Sequence, residues 1–162
     1  MTLDDCYKLA ILPAYALLPA RLASDRATVE LLAIGLQESK LIYRKQLGNG
    51  PARSLWQFER GGGVRGVLRR QATAGLAREV CAARGVEPAE MPVWLRMETD
   101  DVLGAAFSRL LLWSDPAPLP AVDDFAGGWA MYLRNWRPGK PHPKSWRGYH
   151  DQAREYVQGL TS

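Results

Sequence analysis

A glutamate and a serine, Glu38-Ser39, close the most apolar stretch of the chain. Ala27, Val29, Leu31, Leu32, Ala33, Ile34 and Leu36 leave Glu30 as the one fully polar interruption between Thr28 and Gln37. A helix that is apolar almost all round is a buried, central one. The polar run Gln37-Glu38-Ser39-Lys40 is therefore where it must reach a surface or a cleft. Two effects raise the pKa of a carboxylate in that place: partial desolvation against the apolar helix, and the partial negative charge at a helix C-terminus. A raised pKa is what a general acid needs near neutrality. The competing reading of Glu38 is a solvated carboxylate paired with Lys40, Arg44 or Lys45.

Other residue types that could do chemistry are less well arranged. Cys6 and Cys81 lie far apart with no C-x-x-C or histidine spacing, so they indicate neither a metal nor a required disulfide. His142 and His150 lack a third ligand at helical spacing and read as solvated side chains rather than a zinc site. Gly61-Gly62-Gly63 has no following Gly-Lys-Ser/Thr and no convincing strand before it, which argues against a phosphate loop. No cofactor or metal is expected.

The elements that must position Glu38 are mostly helical. Ser24 is suited to cap the central helix over 25–38, with Asp25 complementing its dipole. A first helix over 3–18 should end or kink near Pro13 or before Pro19. Residues 39–60 lose helical periodicity, contain Gly48-Asn49-Gly50-Pro51 and then Ser54-Leu55-Trp56-Gln57-Phe58, and form the expected non-helical wall of a cleft. Gly61 to Gly63 should break the chain. Helices are expected over 64–68 and 73–83, with their arginines on a solvated face. Pro92 is suited to open a further helical region, Thr99 or Asp100 to cap a helix over 101–113, and Asp123 or Asp124 to cap one through Asn135. A stiff Pro/Gly segment over 137–143 precedes a last helix over about 144–157.

Composition sets the outer bounds. The 162 residues suit one domain with a real core, and 47% hydrophobic against 23% charged residues excludes a disordered chain. The net charge of +4 favours an anionic partner: nucleic acid, anionic lipid or an acidic wall polymer. Arg65, Arg69, Arg70 and Arg78 cluster, yet no nucleic-acid signature accompanies them. Six tryptophans supply flat surfaces suited to sugar rings or to the core. The apolar run over 9–20 carries Pro13 and Pro19, follows Asp4 and Asp5 instead of a basic segment, and is too short for a bilayer. Synthesis in the cytoplasm, without an export signal and without stable membrane insertion, is the expectation.

The run Ala33-Ile34-Gly35-Leu36-Gln37-Glu38-Ser39, followed by Gly50-Pro51-Ala52-Arg53-Ser54-Leu55-Trp56-Gln57-Phe58, resembles the lysozyme-like superfamily. The similarity is to its soluble lytic transglycosylase and goose-type lysozyme branch and the phage relatives. There a helix ends in Glu-Ser, and a Gly-Ala-x-Gly-Leu-Met-Gln-like segment follows. Pro51 and Ser54 stand where that segment has glycines. A late Ala-Tyr-Asn-x-Gly-Pro-Gly-like turn is partly matched by Leu133-Arg134-Asn135-Trp136-Arg137-Pro138-Gly139. Arg134 holds the tyrosine's place, and Tyr132 lies two residues earlier.

The resemblance implies a mainly α, lysozyme-like domain with a small non-helical or β segment lining the cleft. It implies cleavage of the β-1,4 bond between N-acetylmuramic acid and N-acetylglucosamine in peptidoglycan, by a monomeric phage endolysin or virion-associated lysin. A holin is the expected helper for access to the wall from the host cytoplasm. Glu38 would be the acid, and Ser39, Tyr43, Gln57, Tyr132, Asn135 and Trp136 would bind substrate. Gln57 is suited to an acetamido or hydroxyl group, because an amide both donates and accepts; its alternative role is to stabilise the loop.

Hydrolytic glycosidases use two carboxylates. Glu59 is the nearest candidate for the second, with Asp100, Asp101, Asp123 and Asp124 as others equally suited to capping or pairing. If none faces Glu38, the family precedent is a transglycosylase in which the muramic C6 hydroxyl attacks. Two readings from other classes stay open: a non-catalytic wall-binding or phage structural module, and a basic helical nucleic-acid binder.

Overall fold

The computed structural model describes residues 1–161, and the chain is mainly helical. Its centre is α3, Asp25–Ser39, capped by Ser24, whose hydroxyl accepts from the Ala27 N–H. Every residue from Ala27 to Gly35 is buried, as the near-continuous apolar pattern requires. Glu30 is buried with them.

The N-terminal segment comprises α1, Leu3–Cys6, a π-helical turn over Tyr7–Ile11, and α2, Leu12–Ala16. Thr2 and Asp5 form a reciprocal capping box that fixes its start. The expected kink near Pro13 takes the form of this wider turn. Leu12 donates to the Tyr7 carbonyl immediately before the proline, where an ordinary helical turn would crowd the pyrrolidine ring.

After the cleft wall come a second π-helical turn, Arg60–Val64, and four helices: α4 (Arg65–Arg69), α5 (Ala74–Ala83), α6 (Glu90–Arg96) and α7 (Asp101–Trp113). The three glycines are thus part of a helical turn, not a break. α6 begins two residues before Pro92, which its first turn tolerates because N–H groups there lack helical partners. α7 is capped by Asp100, whose carboxylate accepts from the Leu103 N–H.

α8, Phe125–Trp136, is capped by Asp124 rather than Asp123, and α9, Pro143–Leu160, completes the chain. α9 packs most extensively against α3, and α7 also packs on it. The packed interior is one contiguous cluster that includes Leu31, Ile34, Trp56, Phe107 and Trp146. Among the described residues there is no sheet, only two isolated antiparallel bridges in the cleft wall. No described helix is long and apolar enough to cross a membrane.

Candidate active site

The chain reverses sharply at the end of α3. Lys40 and Leu41 both take left-handed conformations, at φ 56° each, so the carboxylate-bearing turn is the last of the helix. Ser39, expected among the substrate contacts, is instead buried. Its hydroxyl donates to the Leu55 carbonyl at 2.7 Å and accepts from the Leu41 N–H at 3.2 Å. It joins the end of α3 to the loop that forms the opposite wall.

That loop is built around Trp56. The indole is fully buried and donates to the Leu31 carbonyl at 2.8 Å. It fits because both helices beside it carry glycine. A Cβ on Gly35 would stand 2.7 Å from Leu41 and 3.4 Å from the indole, and one on Gly104 of α7 would meet Ser54 at 3.1 Å and the indole at 3.3 Å. The loop closes through paired Arg53–Phe58 backbone bonds of 2.9 and 2.6 Å. Ser54 and Gln57 adopt φ values of 73° and 52° to make the turn. Arg44 forks onto Asp101 at 2.8 and 2.7 Å, holding the start of the loop to the first residue of α7.

Facing this wall is α8. Tyr132 donates its phenol to Glu38 Oε1 at 2.6 Å, and Trp136 donates to the Trp56 carbonyl at 2.8 Å. Tyr132 in turn stacks on Trp146 of α9, with ring centroids 5.4 Å apart at 11°. Stacking and hydrogen bond together fix the phenol's direction. Glu38, Tyr132, Gln57, Tyr43, Asn135, Trp136 and Glu59 all line one cleft of about 1110 Å³. Three stretches remote in sequence therefore meet at one carboxyl group.

Burial pushes the Glu38 carboxyl up to about 7, against the Tyr132 hydrogen bond, which favours the ionised form. Desolvation is thus the dominant cause, and at neutral pH the group is poised between acid and base. The Tyr132 phenol is raised well above its usual value by its own burial and by the neighbouring Glu38, so it stays a donor.

Other expected site residues are held by the protein itself. Gln57 spends both amide hydrogens on the Ser54 and Tyr43 carbonyls, at 2.8 and 3.2 Å, so the loop-stabilising role holds and only its oxygen is left to accept. Asn135 donates to Asp115 and the Met131 carbonyl at 2.7 and 2.9 Å. Of the carboxylates considered as a second acid, Asp100 caps α7 and pairs with Arg84, Asp101 pairs with Arg44, Asp124 caps α8, and Asp123 is not among the cleft residues. Glu59 is exposed in the cleft.

Gln37, which sequence reasoning did not single out, ties two parts of the site together. Its amide donates to the His142 carbonyl at 3.1 Å and accepts from Ser145 at 2.9 Å, tying the Pro/Gly loop beside Glu38 to the end of α3. Polar side chains at the end of a buried helix were the only available clue. The clustered arginines Arg65, Arg69, Arg70 and Arg78 are all exposed, as expected of a solvated face, and the first three also border the cleft.

His150, expected to be solvated, is not. It is fully buried, with Nε2 3.6 Å from Glu30 Oε1, because its place on α9 turns inward against α3. Both cysteines are free and buried, and burial raises their thiols to about 12 and about 11, which leaves them unreactive. Among the described residues no group of three or more His, Cys, Asp or Glu could hold a metal ion. No protein-family model, curated protein or solved structure matches the chain.

Proposed function

We propose that the chain is a peptidoglycan-degrading muramidase of the lysozyme-like superfamily, acting as a phage lytic transglycosylase with Glu38 as its acid and base. The observation that carries this reading is the 2.6 Å hydrogen bond from Tyr132 to a desolvated Glu38 in an open cleft. A carboxyl group that is half protonated near neutrality can give a proton and take one back in a single turnover.

Two further features support the reading. Tyr132, displaced by two positions from the tyrosine of the related motif, nevertheless reaches the carboxyl group. Ser54, standing where that family's loop has glycine, has the left-handed φ of 73° that glycine adopts most readily.

In the proposed reaction the Glu38 proton passes to the glycosidic oxygen. The C1–O bond to the leaving sugar breaks, and C1 gains oxocarbenium character. The resulting carboxylate takes the proton of the muramic C6 hydroxyl, whose oxygen bonds to C1 and gives a 1,6-anhydro end. Glu38 finishes protonated, as it began. Tyr132 fixes one carboxyl oxygen and leaves the other for this exchange.

Hydrolysis is the second reading, and the exposure of Glu59 in the same cleft is what favours it. Mass spectrometry of muropeptides released from purified peptidoglycan by wild type and Glu38→Gln separates the two. Anhydro-muramic ends support transglycosylation; reducing muramic ends support a lysozyme with Glu59 as partner. No release by wild type, or equal release by Glu38→Gln, overturns the catalytic reading.

A further inference from the structure

We infer that Arg65, Arg69 and Arg70 form a carboxylate-binding wall of the cleft that engages the peptide stems carried by the glycan. The inference rests on the muramidase reading and identifies the part of the substrate that this wall contacts.

α4 sets Arg65 and Arg69 one turn apart on the same face, with Arg70 next to them, and all three line the cleft that holds Glu38. Their charge is only partly compensated. A single carboxylate, Glu90, serves two of them: Arg65 forks onto it at 2.9 and 3.1 Å, and Arg69 reaches the same Oε1 at 2.9 Å. Arg70 has a neutral partner, the Ser114 hydroxyl at 2.6 Å. Three guanidinium groups thus share one negative charge. The Arg65 and Arg69 side chains are 50% and 70% exposed, so both can turn towards a ligand.

Two glycines of the same cleft carry no close neighbours. A Cβ on Gly61 would meet nothing, and one on Gly62 only the Glu59 Cβ at 3.6 Å. Packing does not demand glycine at either position, and both glycines line the same cleft as the arginines.

Guanidinium forks match carboxylates bidentately and gain little from neutral sugar hydroxyls, which amides serve as well. The row of three covers roughly 8 Å of helix, by the rise per residue of an α-helix, which fits one short peptide better than a tracked polyanionic backbone. Stem peptides carry free carboxylates beside the muramic acid at which the chain is cut.

The test compares kcat/KM on stem-bearing glycan and on glycan of equal length stripped of its stems by an amidase. It uses wild type, the Arg69→Gln/Arg70→Gln double variant and the corresponding double lysine variant. Binding of a free stem tetrapeptide and of its carboxamide form is measured alongside by calorimetry. Wild type should prefer stem-bearing glycan by roughly tenfold, the sum of two partly screened ion pairs. The preference should reside in KM and shrink at high salt.

The glutamine variant should lose most of that preference and the lysine variant should regain part of it, having charge without the fork. Equal cleavage of both glycans by wild type, or an undiminished preference in the glutamine variant, overturns the inference and leaves the muramidase reading standing. If neither glycan is cut but the tetrapeptide binds and its carboxamide does not, the muramidase reading fails and the carboxylate wall stands.

Discussion

Helix α3 carries two desolvated carboxyl groups eight residues apart, and they have opposite fates. They are separated by about 12 Å of rise and roughly 80° of rotation, from helix geometry. Glu30 is sealed between α8 and α9, beside His150 and against Gly128, where a Cβ would come within 2.5 Å of its Oε1. One of its oxygens and both His150 ring nitrogens lack a hydrogen bond. Glu38 has a directed donor, Tyr132, and a cleft in front of it. Burial raises the pKa of both. Desolvation alone therefore does not make a site; access and an aimed partner do.

The largest expected effect separates the two by activity. Glu38→Gln should lower the rate of peptidoglycan solubilisation by at least about 100-fold, the usual lower bound for a lost general acid. Glu30→Ala should leave kcat per folded molecule within about threefold and instead cost roughly 3 kcal/mol in urea unfolding, because it leaves a cavity in the packed interior between α8 and α9. A Glu30 variant as dead as the Glu38 variant, with stability intact, would erase the distinction.

Next in size is the pH dependence of stability. The folded value of Glu38, about 7, lies above its ordinary 4.5, so the folded state holds this proton more tightly. Its contribution is full below about pH 4.5 and is lost as pH rises to about 7, a change of roughly 2–3 kcal/mol by linkage. Chemical denaturation of wild type and Glu38→Gln at pH 5 and pH 8 should show the variant gaining on wild type at the higher pH. Equal differences at the two values would mean that Glu38 is solvated.

The smallest effect concerns the aimed partner. Tyr132→Phe removes a bond that favours the ionised carboxyl, so the alkaline limb of the pH–rate profile should move to higher pH. The rate below that limb should fall about tenfold through lost orientation. An unmoved limb would show that Tyr132 does not set the protonation of Glu38.

Much of the helical frame was legible in the chain. Ser24, Asp100 and Asp124 cap the helices that follow them, and the apolar run from Ala27 marks the central helix, because caps and hydrophobic periodicity are local. Of the site, Glu38 was legible from the break in that run, and the loop around Trp56 from its loss of periodicity. The roles of the neighbours were not. Ser39 and Asn135 are polar types that could serve a ligand or the protein equally well, and only their partners, Leu55 and Asp115, decide.

The sequence by itself determined where α3 begins and ends and that a carboxyl group stands at its last turn, since both follow from residues within a few positions of one another. Only the tertiary structure decided that Tyr132, 94 residues away, aims at that carboxyl group, that His150 turns inward onto Glu30, and that the arginines of α4 border the cleft. These depend on how α8, α9 and α4 pack around α3. A side chain's partner across a packed interface is fixed by the positions of whole elements, which no local pattern encodes.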